Sequence, residues 1–347
     1  MYIPDKIHLA NLPTKIEKLE KLSQEYGKNI FIKRDDQTGI EISGNKIRKL
    51  EYAVAEAKRE NATMLITCGA MQSNHARATA AVANKLNLKS VLVLVDGNRE
   101  VPNGNYLLDL ILGAEIRLIH SDDYARVDEI MNEIKKEYEQ KGEKAYIIPT
   151  GASNAIGMFG YIEAVQEIMR QEKEMGIQFD AVVDTVGSTG TYAGLMLGKA
   201  VHHASFDIVG FSIADTTEAF QKRAFENIAD CCKYLSREGK NYTPQSFGIS
   251  ERELKIIGRY RGNGYALNDA EDFETVKHLA RSEGIFVDPV YTAKAFKGML
   301  SEIRLAEKGQ QDPIASFDKY QNILFIHTGG LYGIFPKVEE MMTQLER

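Results

Sequence analysis

Short runs rich in β-branched residues alternate with longer amphipathic stretches along most of the chain. Such alternation predicts an α/β protein whose mainly parallel sheets are covered by helices on both faces. The predicted strands are Ile30–Lys33, Met64–Thr67, Val91–Val95, Glu115–Ile119, Tyr146–Ile148, Ala181–Asp184, Ile208–Phe211 and Ile323–Ile326. The predicted helices are Lys46–Glu60, Asn74–Leu86, Gly104–Leu112, Tyr124–Lys141, Gly157–Met175, Tyr192–Ala200, Ala270–Glu283 and Thr292–Lys308.

The length of the chain predicts two domains, because 347 residues are enough for two hydrophobic cores. Residues 52–160 contain four consecutive strand–helix units, and we predict that they form a small domain. Residues 1–51 and 161–347 would then form a larger one, with a ligand site between the two. The charged and polar segment 216–263 is the least regular, and we predict helical excursions and loops at the surface.

Composition excludes several classes of protein. Hydrophobic residues make up 44% and charged residues 27%, which is ordinary for a globular protein. The net charge of -6 disfavours a nucleic-acid partner, because nucleic-acid binders usually carry a basic surplus. No apolar run approaches the roughly 18 residues of a membrane span, and residues 1–13 lack a leader pattern. We therefore expect a cytoplasmic protein with no membrane partner.

The cysteine pattern argues against both a disulfide framework and a metal site. Cys68, Cys231 and Cys232 are odd in number and irregular in spacing. No CxxC or HExxH signature occurs, so we expect no metal. We interpret the adjacent pair as packing residues on a helix.

A glycine-rich loop, residues 185–191, follows a predicted strand and precedes a predicted helix. Gly187 and Gly190 allow the backbone to approach an anion, and the helix N-terminus offers free N–H groups. Hydroxyl donors are added by Ser188, Thr189 and Thr191. The spacing matches neither a dinucleotide fingerprint nor a P-loop, so a phosphate monoester fits best. A plain tight turn explains the loop equally well when it is taken alone.

A lysine opens the predicted helix that follows the turn Ser43-Gly-Asn45. The helix dipole disfavours a cation at that place, and partial burial lowers the pKa of an amine, so Lys46 is a candidate nucleophile. Lys49 lies on the same helix face and is suited to neutralising a phosphate. Two solvated surface lysines are the alternative, which is the more common case for an isolated pair.

Three further segments carry polar residues close to predicted strand ends. Ser73 and Asn74 occupy the expected N-cap of a helix, where N–H groups suit a carboxylate; simple capping is the alternative. His75 is either a proton relay or a satisfied imidazole, and we favour the second. Tyr291 follows a proline turn, and the strand Ile323–Ile326 runs into His327-Thr-Gly-Gly330. Ligands gather at the carboxyl ends of parallel strands, so we expect these segments to converge.

In chain order, these motifs resemble the fold type II pyridoxal-phosphate (PLP) enzymes of the D-cysteine desulfhydrase and 1-aminocyclopropane-1-carboxylate (ACC) deaminase group. The segments that carry the resemblance are Lys33–Asp36, Gly44–Glu51, Gln72–His75, Gly187–Thr191, Asp288–Tyr291 and His327–Gly330. The resemblance runs from about Lys6 to Pro336, and the shared order of these motifs is far more specific than any one of them. The resemblance implies a tryptophan synthase β-like α/β fold with two open, mostly parallel sheets, PLP as the cofactor, and a homodimer.

The resemblance also implies a role for each matching residue. Lys46 would form the Schiff base with PLP and move the proton of the substrate Cα. Asn74 would bond the phenolic oxygen of the cofactor, and Thr328 would face its pyridine nitrogen. The phosphate would be held by Lys49, Gly187, Ser188, Thr189, Gly190 and Thr191. On the substrate side, Ser73 would contact the carboxylate, and Tyr265 and Tyr291 would line the pocket.

One position distinguishes the two branches of this group. Thr292 stands where the ACC deaminase pattern has a glutamate suited to protonating the pyridine nitrogen. Hydroxyl partners at Thr292 and Thr328 imply a weaker electron sink, which suits β-elimination. We therefore expect D-cysteine to be converted to pyruvate, ammonia and hydrogen sulfide. ACC deamination, or elimination from another β-substituted amino acid such as cysteate, are the alternatives.

Overall fold

A computed structural model describes residues 1–97 and 101–345. The strands are β1 (Ile16–Lys18), β2 (Asn29–Lys33), β3 (Met64–Ala70), β4 (Lys89–Val95), β5 (Glu115–Ile119), β6 (Ala145–Ile147), β7 (Ala181–Val186), β8 (Asp207–Ser212), β9 (Ile256–Ile257) and β10 (Asn322–Ile326). The helices are α1 (Glu20–Tyr26), α2 (Lys46–Arg59), α3 (Asn74–Lys85), α4 (Gly104–Ile111), α5 (Val127–Glu139), α6 (Ala155–Met175), α7 (Gly190–His202), α8 (Thr217–Leu235), α9 (Ala270–Glu283), α10 (Thr292–Ala306) and α11 (Val338–Leu345).

Two separate sheets organise these elements. The larger has the order β1-β2-β10-β7-β8-β9, and the smaller has the order β5-β4-β3-β6. Only β1 pairs antiparallel, at one edge of the larger sheet. The predicted α/β fold with two open, mostly parallel sheets is therefore confirmed. The smaller sheet lies wholly between Met64 and Ile147, whereas the division into domains at residues 52 and 160 remains a prediction.

The central strand β7 is buried on both faces, as a parallel strand covered by helices must be. Side chains alternate across a strand, so Val182 and Val186 face the cluster formed with α2, α6 and α7. Val183 faces the opposite cluster, formed largely with α9 and α10. The same alternation directs Asp184 towards α2, α6 and α7, and this carboxyl group is fully buried there.

A buried ionic network fixes α2 against the larger sheet. Arg48 donates to both oxygens of Asp35, at 2.8 Å each, and to Glu167 at 2.9 and 3.0 Å. Lys33 donates to Glu167 at 2.6 Å, and Tyr161 donates to Asp35 at 2.6 Å. Each charge has an opposite charge and further hydrogen bonds, the condition under which a buried ion pair is tolerated. The network therefore holds rigid the helix that begins at residue 46.

The prediction of helical excursions and loops at the surface for segment 216–263 did not anticipate one long helix with a buried face in its first half. Residues 217–235 form the regular 19-residue helix α8. Its buried side chains recur at helical spacing: Phe220, Ala224, Ile228, Cys231 and Cys232. This period was present in the sequence but is obscured by the charged residues between. The two cysteines are buried and unpaired on this helix, which agrees with their interpretation as packing residues.

Candidate active site

A cavity of about 760 Å³ lies where the two sheets approach each other. Residues from the carboxyl ends of β3, β7, β8 and β10 line it, which is the expected place for a ligand in parallel sheets. Ten of the predicted site residues line this cavity: Lys46, Ser73, Asn74, Gly187, Ser188, Thr189, Thr191, Tyr265, Tyr291 and Thr328. Lys49 and Gly190 lie behind the wall instead.

Lys46 is the first residue of α2, as predicted. Its Nζ donates to the side-chain oxygen of Asn45 at 2.9 Å, and Asn45 donates in turn to the Thr191 hydroxyl at 2.9 Å. Burial lowers the pKa of Lys46 to about 8, against the opposing charges of Asp184 and Asp288. The neutral form that a nucleophile or base requires, only about one tenth of the amine at pH 7, is therefore far more abundant than for an ordinary lysine.

Two glycine turns bring Lys46 and Thr328 to the same place. Gly44 has φ +106° and Gly329 has φ +90°, a region that favours glycine. A Cβ on Gly44 would lie 2.7 Å from the Thr328 carbonyl oxygen, and one on Gly329 would lie 2.6 Å from the Gly44 Cα. The Asn45 amide also donates to the Thr328 carbonyl at 3.1 Å. Side chains at either glycine would push the two turns apart.

Lys49 is fully buried directly behind the glycine-rich loop. Its Nζ has one hydrogen bond among the described residues, 3.3 Å to the Ser153 hydroxyl. Ser153 donates to the Ser188 hydroxyl at 2.8 Å and accepts from the Gly190 amide at 3.3 Å. Burial, followed by the charge of Lys46, lowers the pKa of Lys49 well below its usual value. An amine buried with so few partners is suited to receiving an anion.

Gly190 packs closely against Ser153. Its φ lies outside the left-handed region, and a Cβ there would lie 2.8 Å from the Ser153 Cα. The glycine therefore admits the close approach of Ser153, and its contact with the phosphate stays a prediction. The backbone strain lies at Thr189, with φ +64°, where a non-glycine residue is uncommon. Asn227 donates to the Thr189 hydroxyl at 2.8 Å and holds that conformation.

Ser73 is the N-cap of α3, and its hydroxyl accepts from the Ala76 amide at 3.1 Å. The hydroxyl proton stays available for a ligand in the cavity. The Asn74 side-chain oxygen accepts from Asn105 Nδ2 at 3.0 Å. This bond orients the other end of the Asn74 amide, its NH₂ group, as a donor towards an acceptor on a ligand.

His75 is only half satisfied, which departs from our interpretation. It is 3% exposed, and its Nε2 lies 2.8 Å from the Thr67 hydroxyl, which also reaches the Ile148 carbonyl at 2.8 Å. Its Nδ1 has no partner among the described residues. Burial and the nearby lysines Lys46 and Lys49 lower its pKa well below the usual value, so the ring is neutral.

Two tyrosines form one wall of the cavity. The hydroxyls of Tyr265 and Tyr291 lie 2.6 Å apart, and the rings meet edge to face. Burial raises the pKa of both, so both phenols are neutral donors at neutral pH. Protein atoms surround Tyr265, but 40% of its surface is exposed because the residue borders the open cavity. Tyr124 also lines the cavity, and its hydroxyl lies 3.1 Å from the Thr150 hydroxyl.

The predicted role of Thr292 at the cofactor is not supported by its position. Its hydroxyl donates to the Asp288 carboxylate at 2.7 Å and accepts from the Asp288 amide at 2.8 Å. Thr292 is the first residue of α10, so its side chain closes the turn before that helix instead of lining the cavity. Thr328 alone of the two hydroxyls borders the cavity.

Sequence reasoning missed several residues of this site. They are Asn45, Tyr124, Ser153, Thr185 and Asn227, all of which line the cavity. Asn45 was visible beside Lys46, whereas Ser153 and Asn227 act through hydrogen bonds to the loop from distant parts of the chain. No local pattern marks such partners.

Residues 7–329 match the family model described as "Pyridoxal-phosphate dependent enzyme". The chain belongs to this family. It is an enzyme, and its cofactor is PLP. No helix in the described ranges is long and apolar enough to cross a membrane.

Individual relatives narrow the type of PLP enzyme. The chain is 43% identical to the Thermotoga maritima protein named "Putative 1-aminocyclopropane-1-carboxylate deaminase", over 97% of this chain and 100% of the relative. It is 38% identical to an Arabidopsis thaliana protein, over 96% of this chain and 80% of the relative. That protein is named "Bifunctional D-cysteine desulfhydrase/1-aminocyclopropane-1-carboxylate deaminase, mitochondrial". The chain is therefore a PLP-dependent lyase of the ACC deaminase type.

Solved structures agree with this family. The crystal structure of an ACC deaminase homologue matches with a TM-score of 0.85 and 35% identity, covering 98% of this chain and 96% of that one. The L-serine ammonia-lyase of Rhizomucor miehei matches with a TM-score of 0.67 at 15% identity, covering 99% of both chains. The second match shows the shared fold alone.

The side chains around the cavity fit PLP. The Thr185 hydroxyl, 6% exposed, lines the cavity and has no partner among the described residues. It lies with Lys49 at the N-terminal end of α7, where free amides favour a phosphate. Lys46, which also lines the cavity, supplies an amine with a lowered pKa.

Proposed function

We propose that this enzyme eliminates the β-substituent of D-cysteine and yields pyruvate, ammonia and hydrogen sulfide. The proposal rests on the hydroxyl of Thr328 and on the acids that line the cavity. In the described ranges these acids are the exposed Asp128 and the half-buried Asp215. The interior of the cavity thus offers no carboxylate to hold a proton on the pyridine nitrogen.

An uncharged partner favours elimination over ring opening. When bound, PLP withdraws electrons from the substrate Cα. In β-elimination the leaving thiolate takes the electron pair as soon as the proton departs, so a moderate electron sink is enough. Opening the ring of ACC has no comparable leaving group and needs a stronger sink. The name of the Arabidopsis relative includes the D-cysteine activity, which supports the same substrate.

Different residues of the cavity have separate roles in this reaction. Ser73 and the N-terminus of α3 bind the substrate carboxylate. Lys46 removes the proton from Cα, which its pKa of about 8 permits near neutral pH. The neutral Tyr265–Tyr291 pair donates a hydrogen bond to the sulfur while the Cβ–S bond breaks. The released enamine then hydrolyses to pyruvate and ammonia.

Product analysis on a panel of substrates tests the proposal. The purified holoenzyme is incubated separately with D-cysteine, L-cysteine, ACC and cysteate, and pyruvate, sulfide, sulfite and 2-oxobutanoate are measured. We expect equal amounts of pyruvate and sulfide from D-cysteine at the highest kcat/KM of the panel. ACC turnover as efficient as that of D-cysteine would assign the enzyme to the deaminase branch. Sulfite from cysteate at a higher kcat/KM would assign it to another β-substituted substrate.

The role of Lys46 has a separate test. Borohydride reduction of the holoenzyme followed by peptide mapping should place the pyridoxyl group on Lys46. Lys46→Ala should lose this label and turnover, while Lys49→Ala should keep the label on Lys46 whenever PLP is supplied in excess. A label on any other lysine would contradict the assignment.

We also propose a homodimer in the cytoplasm. Apolar side chains are exposed on the neighbouring segments α4 and 331–337, among them Ile111 (70% exposed) and Phe335 (55% exposed). Such a patch is typical of a protein interface. The free, buried cysteines suit a reducing compartment. Sedimentation equilibrium should give twice the chain mass, and Ile111→Glu should weaken the dimer. A monomer at micromolar concentration would contradict the proposed homodimer. A membrane-enclosed location in cell fractionation would contradict the proposed cytoplasmic location.

A further inference from the structure

Asp184 lies beneath the phosphate loop and is the most isolated acid near the cavity. It is fully buried, and neither carboxylate oxygen has a hydrogen-bond partner among the described residues. A buried, ionised carboxylate without hydrogen bonds is strongly disfavoured. The position of Asp184 on β7 directs it towards α2, α6 and α7, and it is not among the residues that line the cavity.

The charged and titratable groups around Asp184 come from four elements. They are Lys46 and Lys49 on α2, Asp35 after β2, Tyr161 on α6 and Tyr192 on α7. Both tyrosines have pKa values raised well above the usual range and remain neutral. Asp35 is held ionised by Arg48, so it opposes a second negative charge nearby. The two lysines are thus the only members of this group that can carry a positive charge.

Together, burial and these groups place the pKa of the Asp184 carboxyl close to neutral pH. Burial raises the pKa of Asp184 to about 7, against the opposing influence of Lys49, Lys46 and the Thr185 amide, which lies near the carboxyl without meeting hydrogen-bond geometry. The phosphate of PLP brings close to two negative charges at neutral pH. That charge attracts Lys49 and repels an ionised Asp184 across a poorly screened interior.

We propose that Asp184 takes up a proton from solvent when the cofactor phosphate binds beside Lys49, so that retention of the cofactor depends on pH through this carboxyl. No bond other than the new O–H bond forms, and the proton comes from water. Asp184 is a positioning residue in this scheme, because it acts on the phosphate only through Lys49 and the local charge. The inference rests on PLP as the cofactor and not on the substrate.

Pyridoxine 5′-phosphate is a suitable probe, because it carries the phosphate but lacks the aldehyde that reacts with Lys46. Its binding to the apoenzyme is measured from pH 7 to pH 9, where the phosphate is a dianion. The pKa of Asp184 is about 7 in the free enzyme. A rise of this pKa by about one unit on binding would weaken the affinity for the probe about fivefold from pH 7 to pH 9. Calorimetry in two buffers of different ionisation enthalpy at pH 7.5 should show net proton uptake. No uptake would overturn the proposal.

Infrared difference spectroscopy identifies the group that receives the proton. Addition of the probe at pH 7.5 should produce the band of a protonated carboxyl in the wild type. Asp184→Asn should lose this band, whereas the exposed control Asp230→Asn should keep it. A band that persists in Asp184→Asn, or that is absent from the wild type, would overturn the proposal and assign the proton to another group such as Lys49.

A measurement on the wild type covers the case in which Asp184→Asn does not fold. Labelling the aspartate side-chain carboxyls with ¹³C should shift the new band to lower frequency. An unshifted band would exclude every aspartate and overturn the proposal. The probe cannot take part in turnover, so neither outcome bears on whether D-cysteine is the substrate.

Discussion

Replacing each of two fully buried lysines by methionine should have opposite effects on protein stability and on cofactor affinity. Lys33 is satisfied by Glu167 at 2.6 Å, Gln171 at 2.8 Å and the Thr14 carbonyl at 3.3 Å. Lys49 has a single 3.3 Å contact with Ser153. A methionine has nearly the same shape as a lysine stem, so Lys33→Met and Lys49→Met remove mainly the amine.

The expected magnitudes follow from the partners left behind. Lys33→Met should reduce the free energy of unfolding by about 3 kcal/mol, because a buried ion pair loses one member while Arg48 still pairs with Glu167. Lys49→Met should change the stability of the apoenzyme by less than about 1 kcal/mol, since it removes a poorly partnered buried amine. The same change should weaken PLP binding by about 2 kcal/mol, roughly 30-fold, because a charged hydrogen bond to the phosphate is lost.

Urea unfolding of the apoenzymes and spectrophotometric PLP titration measure the two effects separately. Lys33→Met should unfold at lower urea but bind PLP like the wild type where it is folded. The reasoning would be refuted if Lys49→Met lost as much stability as Lys33→Met, or if it bound PLP with unchanged affinity. The first result would make Lys49 a structural cation, and the second would remove it from the phosphate site.

Three further substitutions test separate parts of the molecule. Gly190→Val should raise the PLP dissociation constant roughly tenfold or more because it displaces Ser153. Gly187→Ala is the control, because its added carbon would meet Tyr291 at an ordinary 3.6 Å. This control should change the dissociation constant clearly less in the same titration. Tyr291→Phe should lower kcat/KM for D-cysteine roughly 100-fold while PLP affinity stays constant; an unchanged kcat/KM would remove the phenol from the reaction. The pKa of Asp35 falls from 3.8 to about 2 on folding, so its stabilising contribution, about 2 kcal/mol, is present above pH 3.8 and is lost as the pH falls towards 2. The stability difference between wild type and Asp35→Asn should narrow over that interval in acid unfolding curves, and a constant difference would contradict the assigned charge.

The regular elements of the fold could be predicted from local pattern. The strand Glu115–Ile119 was predicted with its observed bounds, and Lys46 was placed correctly at the start of its helix. Short edge elements such as Ile16–Lys18 escaped prediction because three residues carry too little periodicity. The helix Thr217–Leu235 escaped for a different reason: its exposed face is so charged that composition obscured the period of its buried face.

The candidate site was predictable only where a motif is local. The glycine-rich loop and the N-cap at Ser73 follow from neighbouring residues, and both lie at the cavity. Thr292 shows the limit of that reasoning, because its position beside Tyr291 suggested a place at the cofactor. Its hydroxyl instead satisfies Asp288, four residues earlier. The direction of a side chain at a helix start depends on capping geometry, which a motif in the sequence does not specify.

Buried polar atoms without a hydrogen-bond partner occur at the cavity and at other places in the described ranges such as Asp109, whereas the buried Arg48 network is fully paired. The Arg48 network uses its donors on Asp35 and Glu167. By contrast, His75 and Thr185 each leave a polar atom without a partner among the described residues, and both line the cavity. Polar atoms left unpaired in a low-dielectric interior oppose folding. The sequence therefore keeps at this cavity an unfavourable contribution that a bound phosphate and pyridine ring would relieve, and cofactor binding should raise the stability of the whole fold as well as supply its chemistry.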